Sequence, residues 1–151
     1  MKIKFPEYDF NIRRTEKGLA IFDRLRKKYV PLTPEEIVRQ NVVEYLINEK
    51  GYPAGLMNNE VAIVQNGIKR RCDTVVFDRM GKPLMIVEYK SGKVKITQGV
   101  FNQIYRYNLV LKVKYIVVTN GDDLYCCRVD YETRSTAFLQ AVPQYADAIV
   151  T

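Results

Sequence analysis

Apolar positions fall three and four residues apart along residues 34–49, where Val38, Val42, Tyr45 and Leu46 share one face. Thr33 precedes them as an N-cap. Pro34 takes the first helical position and Glu36 stands three residues past the cap. Gly51 and Pro53 end the stretch. This predicts a helix from 34 to about 49, with Glu36 and Gln40 on a face beside the apolar stripe. The period then changes. Residues 61–64, 74–77 and 84–87 are short apolar runs, separated by Gln65-Asn66-Gly67-Ile68 and Arg79-Met80-Gly81-Lys82. Asn-Gly is the strongest short hairpin signal, so residues 60–90 read as a three-stranded antiparallel meander. Ser91-Gly92-Lys93 breaks the sheet. Thr97 caps a second helix over 98–111, with Val100, Phe101, Ile104 and Leu111 inward. Strands over 115–118 and 124–129 follow, joined by the turn Asn120-Gly121-Asp122-Asp123. The passage from third strand through helix to fourth strand is a β-α-β crossover, which implies right-handed parallel pairing. The tail after Arg134 is expected to hold a short helix near 138–148. Residues 1–30 are mixed and read as an N-terminal extension with one strand or short helix, packed on a domain of residues 31–151. The class is α/β: a mixed sheet, antiparallel meander plus crossover, flanked by helices.

A chain of 151 residues fits a single core. It contains no His. That removes His-based triads, His–Cys nucleophile pairs and most zinc enzymes, leaving Asp, Glu, Lys, Tyr and Cys for any acid-base or metal chemistry. The three cysteines, Cys72, Cys126 and Cys127, are odd in number and form no C-x-x-C pair. They read as small buried hydrophobes in a reducing compartment, with Cys126 and Cys127 on opposite faces of a strand. No apolar run approaches the ~20 residues of a membrane span, and the first residues lack the apolar core of a signal peptide. A cytoplasmic protein with no membrane partner is expected. The formal charge of +7 favours a polyanionic partner. The basic run at residues 24–28 is read as a solvated face or a DNA contact.

Register gives the candidate chemistry. A two-residue turn at Met80-Gly81 sets Asp73 opposite Glu88. A two-residue turn at Asn66-Gly67 sets Glu60 opposite Asp73. Glu60, Asp73 and Glu88 then form a row on one sheet face, and Lys90, two residues beyond Glu88, shares it. Like charges directly opposite each other destabilise a sheet. The row therefore needs a divalent cation, Lys90 or a raised carboxyl pKa. Hard oxygen ligands suit Mg²⁺ or Mn²⁺, which can activate water and polarise a phosphoryl oxygen. Charged residues also alternate on wet sheet faces, but here the acids end continuous apolar runs, which implies burial.

Asp73 followed by Glu88-Tyr89-Lys90 after an apolar strand resembles the PD-(D/E)XK nuclease superfamily. The surrounding residues 70–78 and 81–91 resemble the N-terminal nuclease domain of type I restriction enzyme R subunits. Residues 33–40 resemble that family's first helix. Gln103 and Tyr107 match its Q-x-x-x-Y motif, and residues 115–121 its following strand. The resemblance covers roughly residues 30–130. It implies a restriction-endonuclease-like fold and Mg²⁺-dependent hydrolysis of DNA. Carried over, Asp73 and Glu88 bind the metal, and Lys90 orients the water or stabilises developing charge. Glu36 helps hold a metal or water, while Gln103 and Tyr107 brace the site and meet a phosphate. Cys72 stands where the motif usually has Pro, a residue that shapes backbone and is not a ligand. There is no G-x-x-x-x-G-K-[ST] loop, so no ATP motor is expected from this chain.

Each residue also has a plainer role. Glu36 can close a capping box with Thr33, Lys90 can neutralise Glu88 without catalysis, and Gln103 and Tyr107 can simply pack. Glu60 can be a strand-edge acid, and Tyr89, on the opposite face, a core residue. Arg70, Arg71, Lys93, Lys95 and Arg106 are the expected nucleic-acid contacts. A second copy of the chain or other restriction-complex subunits are further expected partners. The alternative to an enzyme is a catalytically silent nuclease fold that binds nucleic acid or a partner protein.

Overall fold

The computed structural model describes residues 2–92 and 94–150, apart from the side chains of Phe101, Tyr107, Asn108 and Leu109. The expected inward turn of Phe101 and the expected roles of Tyr107 and Lys93 lie outside what is described. The chain opens with strands β1 (Ile12–Thr15), β2 (Gly18–Asp23) and β3 (Lys28–Pro31), which form a separate antiparallel sheet. Three strands replace the single strand or short helix expected there.

Helix α1 (Pro34–Asn48) begins as the sequence predicts. The Thr33 hydroxyl accepts from the Glu36 N–H at 3.1 Å, and Pro34 opens the helix. A second sheet follows in the order β4 (Met57–Gln65), β5 (Ile68–Phe77), β6 (Pro83–Tyr89), β7 (Tyr115–Thr119), β8 (Leu124–Asp130) and β9 (Ser135–Leu139). Helix α2 (Gln98–Leu111) connects β6 to β7, and this pair is parallel while its neighbours are antiparallel. The α/β class with meander and crossover is the architecture found. In the tail, β9 occupies part of the stretch expected to be helical, and α3 (Tyr145–Ala148) is a single turn.

The sheet is covered on both faces. Val38, Val42, Val43 and Leu46 of α1 pack with Met85, Val87, Val117 and Cys126. Ile104 of α2 packs on the other side with Val75, Ile86, Ile116, Val118 and Cys127. Adjacent Cys126 and Cys127 thus enter opposite layers, and all three cysteines are free and buried. Leu46 and Val42 are fully buried, so truncating Leu46 to Ala removes roughly 2–5 kcal/mol of stability. No helix among the described residues is long and apolar enough to cross a membrane.

Two connections fix the register. Asn66 and Gly67 both take positive φ (52° and 76°), and Gln65 pairs with Ile68, so the first hairpin turns in two residues. The second loop is longer than expected. The Asp78 N–H donates to the Lys82 carbonyl at 2.8 Å, leaving Arg79-Met80-Gly81 as a three-residue tip with Gly81 at φ +80°. A bulge between Val76 and Phe77 absorbs the extra residue. Beyond it, Val76 pairs with Met85, Val75 with Ile86 and Thr74 with Val87, the register a two-residue turn would give.

Candidate active site

One step past the Thr74–Val87 pair stand Asp73 and Glu88. The backbone ladder ends here: the Tyr89 N–H donates to Asp73 Oδ2 at 2.8 Å. Glu60 breaks the neighbouring strand with φ +59°, a conformation that costs a non-glycine residue strain. Pairing continues on both sides, with Asn59 against Thr74 and Val61 against Cys72. The facing of the side chains nevertheless slips. Cys72 and Val75, an odd number of residues apart, enter the same core layer. Met57 and Ile63, an even number apart, enter opposite ones. The flat row expected of Glu60, Asp73 and Glu88 is therefore a bent one, because the strand pair twists over at Glu60 and Asp73.

Two arginines hold the bend together. Arg39 of α1 donates to Glu36 Oε1 at 3.1 Å and to Glu60 Oε1 at 3.0 Å, and lies 3.6 Å from Asp73 Oδ1. Its guanidinium sits 5.6 Å over the Tyr89 ring. Arg26, from the turn after β2, donates to Glu36 Oε1 at 2.7 Å and pairs with Asp23. Gln40 donates to Glu36 Oε2 at 2.9 Å. Asp23 is fully buried. Burial alone would raise its carboxyl, but hydrogen bonds from Arg26, from Asn59 and from the Arg26 and Leu25 N–H groups hold it below its ordinary value. Behind the acids runs a buried chain: Tyr89 Oη donates to Thr74 Oγ1 (2.8 Å), Thr74 to Asn59 Oδ1 (2.6 Å), and Asn59 Nδ2 to Asp23 Oδ2 (2.9 Å). Tyr89 is thus the core residue the sequence suggests.

No cation pairs with Glu88 within 4.0 Å among the described residues. Glu88 is 6% exposed, and its Oε1 is buried with no hydrogen-bond partner. Burial first, then the neighbouring Asp73 charge and a hydrogen bond with its carboxyl, push the Glu88 carboxyl up to about 10, against the weaker opposing pull of a hydrogen bond from the Asp73 backbone and of Lys90. Lys90 is half-buried, and no carboxylate among the described residues pairs with it within 4.0 Å. Five carboxylates (Asp23, Glu36, Glu60, Asp73, Glu88) thus surround three cations (Arg26, Arg39, Lys90). Fully ionised, the cluster is two charges negative, the charge a divalent cation neutralises. Asp73 and Glu88 supply hard oxygen donors, and the orphaned Glu88 oxygen suits such an ion. Among the described residues, no three Asp, Glu or Cys side chains gather around a common metal position. Glu36 has both oxygens engaged by Arg26, Arg39 and Gln40. Its carboxylate serves these side chains, while its N–H takes the Thr33 cap.

The other expected residues are more dispersed. Gln103 is exposed on α2, and no hydrogen bond ties it to the acids among the described residues. Lys95, Arg71 and Arg106 are exposed, and Arg70 is half-buried. Arg26 does not form the solvated face expected of residues 24–28, because it turns inward to Asp23 and Glu36. Sequence reasoning missed Asp23, Arg26, Arg39, Asn59 and Thr74. Arg39 was within reach of it, lying one helical turn from Glu36.

The chain is similar in fold to a fragment assigned to an HsdR subunit of a type I restriction enzyme from Vibrio vulnificus YJ016, at 21% identity and a TM-score of 0.54. The match covers 78% of this chain and 25% of that one, so the chain spans about a quarter of the fragment's length. A protein from Anabaena variabilis ATCC 29413, proposed to be a nuclease and belonging to DUF820, matches at 15% identity and a TM-score of 0.48, over 91% of this chain and 88% of its own. No curated protein matches. Residues 34–143, most of the chain, match the family model of the type I restriction enzyme R protein N terminus (HSDR_N), and the chain belongs to that family.

Proposed function

We propose that the chain is a Mg²⁺- or Mn²⁺-dependent endonuclease of the PD-(D/E)XK type that hydrolyses DNA phosphodiesters. One observation carries the reading. Asp73 and Glu88 are held side by side at the end of a fixed register, Glu88 keeps a buried, unpartnered oxygen, and Lys90 follows with no carboxylate among the described residues paired to it. Asp73 and Glu88 would hold the ion, which supplies an activated water and polarises a phosphoryl oxygen. Lys90 orients that water or stabilises the charge growing on the phosphate. Arg39 fixes Asp73 and Glu60 from α1, and Glu36 anchors both arginines. By the family resemblance, Gln103 and Tyr107 would brace the site and meet a phosphate, and Arg70, Arg71, Lys93, Lys95 and Arg106 would meet the DNA backbone. Free buried thiols suit a reducing cytoplasm. Cutting both strands calls for a second site, from another copy or from other restriction-complex subunits.

The test is isothermal titration with Mn²⁺, beside plasmid nicking. The parent is expected to bind and nick, Asp73→Asn to lose both, and Lys90→Ala to keep binding and lose nicking. Nicking that survives in both variants refutes the catalytic assignment. DNA binding without any nicking by the parent makes the fold a silent binding module.

A further inference from the structure

The β4–β5 hairpin extends beyond the six-stranded sheet. β6 pairs with β5 only over Thr74 to Phe77, so from Asp73 back to Ile68 the two hairpin strands stand alone as an arm. Its inner face is packed: Ile63 and Cys72 are buried in the layer that holds Ile104 of α2, and Gln65 Nε2 donates to the Arg106 carbonyl at 2.7 Å. Its outer face is open. Val64 pairs across with Lys69 and Ala62 with Arg71, and all four side chains are exposed, Val64 by 60%. Cross-strand partners share a face, so the apolar pair Ala62 and Val64 of β4 lies beside the basic pair Arg71 and Lys69 of β5 on one surface. Residues 61–72 contain Lys69, Arg70 and Arg71 and no acid. The arm therefore has the sign of a polyanion's partner, whereas the site at its base is acidic. Two residues of strand separate Arg71 from Asp73 and four separate Lys69 from it, roughly 7 and 13 Å at about 3.3 Å per residue.

We propose that the open face of this arm is a duplex-DNA groove contact. Lys69 and Arg71 lie on phosphates, and Val64 and Ala62 lie against base edges, about two to four base pairs from the phosphate at the ion that Asp73 and Glu88 would hold. The major groove of B-DNA admits a two-stranded ribbon. A duplex whose backbone reaches the acids has its groove available to the arm within the next half-turn. The proposal rests on the nuclease reading and adds how the substrate is held and from which side.

The experiment is fluorescence anisotropy of the full chain with a labelled duplex longer than two helical turns, in chelator, across a salt series. Each phosphate contact contributes about 0.9 to the slope of log affinity against log salt. The double variant Lys69→Gln/Arg71→Gln is expected to lower that slope by about 1.8. Val64→Ser is expected to weaken binding severalfold at every salt concentration without changing the slope, as loss of an apolar contact does. A parental slope in the double variant overturns the arm contact, leaves the nuclease reading standing, and makes the face a protein-docking surface instead. Absence of duplex binding by the parent overturns both.

Discussion

Replacing Glu88 by Gln should stabilise the metal-free protein. Glu88 is buried beside Asp73, and its carboxyl is raised from 4.5 to about 10. In the unfolded chain it ionises near its ordinary value. Between these limits the folded state holds a proton that the unfolded state has released. Stability therefore falls as pH rises from about 4.5 towards the folded value. Each pH unit in that interval costs about 1.4 kcal/mol, which accumulates to roughly 3 kcal/mol at pH 7. Glutamine keeps the shape and offers an amide hydrogen where the protonated acid offers its own, and it has nothing to ionise. The assay is thermal unfolding of parent and Glu88→Gln in chelator from pH 5 to pH 8. The variant's Tm should exceed the parent's by a margin that widens with pH and reaches roughly 6–12 °C at neutrality. Adding Mn²⁺ should stabilise the parent and leave the variant unmoved. Parallel pH profiles for the two proteins would refute the reasoning, since they would mean that Glu88 ionises in the folded protein as it does in the unfolded one.

Arg39→Met keeps the aliphatic stem and removes the charge that Glu36, Glu60 and Asp73 share. Losing one partner of a buried ionic cluster should cost about 3–5 kcal/mol in a urea titration, and a loss below about 1 kcal/mol would mean that Arg26 alone suffices. Gly121→Ala puts a methyl group 3.2 Å from Val38 Cγ2 at a φ of +95°. It should lower stability by more than about 1 kcal/mol through strain and contact together, and an unchanged Tm would show that the turn relaxes.

The helices were legible because their ends carry local chemistry. Thr33-Pro34 and Thr97 act through their own neighbours, and the structure keeps both starts. The Asn66-Gly67 turn likewise carries its backbone requirement in two residues. The N-terminal sheet was not legible. All four residues of β1 are exposed, so no alternation marks the strand, and β9 is nearly as open. The acid pair followed from strand register, which a turn and an apolar run determine. The twist at Glu60 did not, because a positive φ in a run of strand-formers answers to the whole site. Asp23 and Arg26 were hidden for a related reason. Their partners Asn59 and Glu36 lie on β4 and α1, and only the finished fold brings them together.

The bulge at Val76 and Phe77 acts as a mechanical buffer between the loop and the acids. The tip at residues 78–82 differs in length from a tight turn, yet that difference is spent before Thr74 is reached. A one-residue change in the loop can thus be taken up at the bulge without moving Asp73 past Glu88. Length variation at this rim is insulated from the chemistry. Relatives could lengthen, shorten or decorate the loop to meet different neighbours while the two carboxylates stay in step.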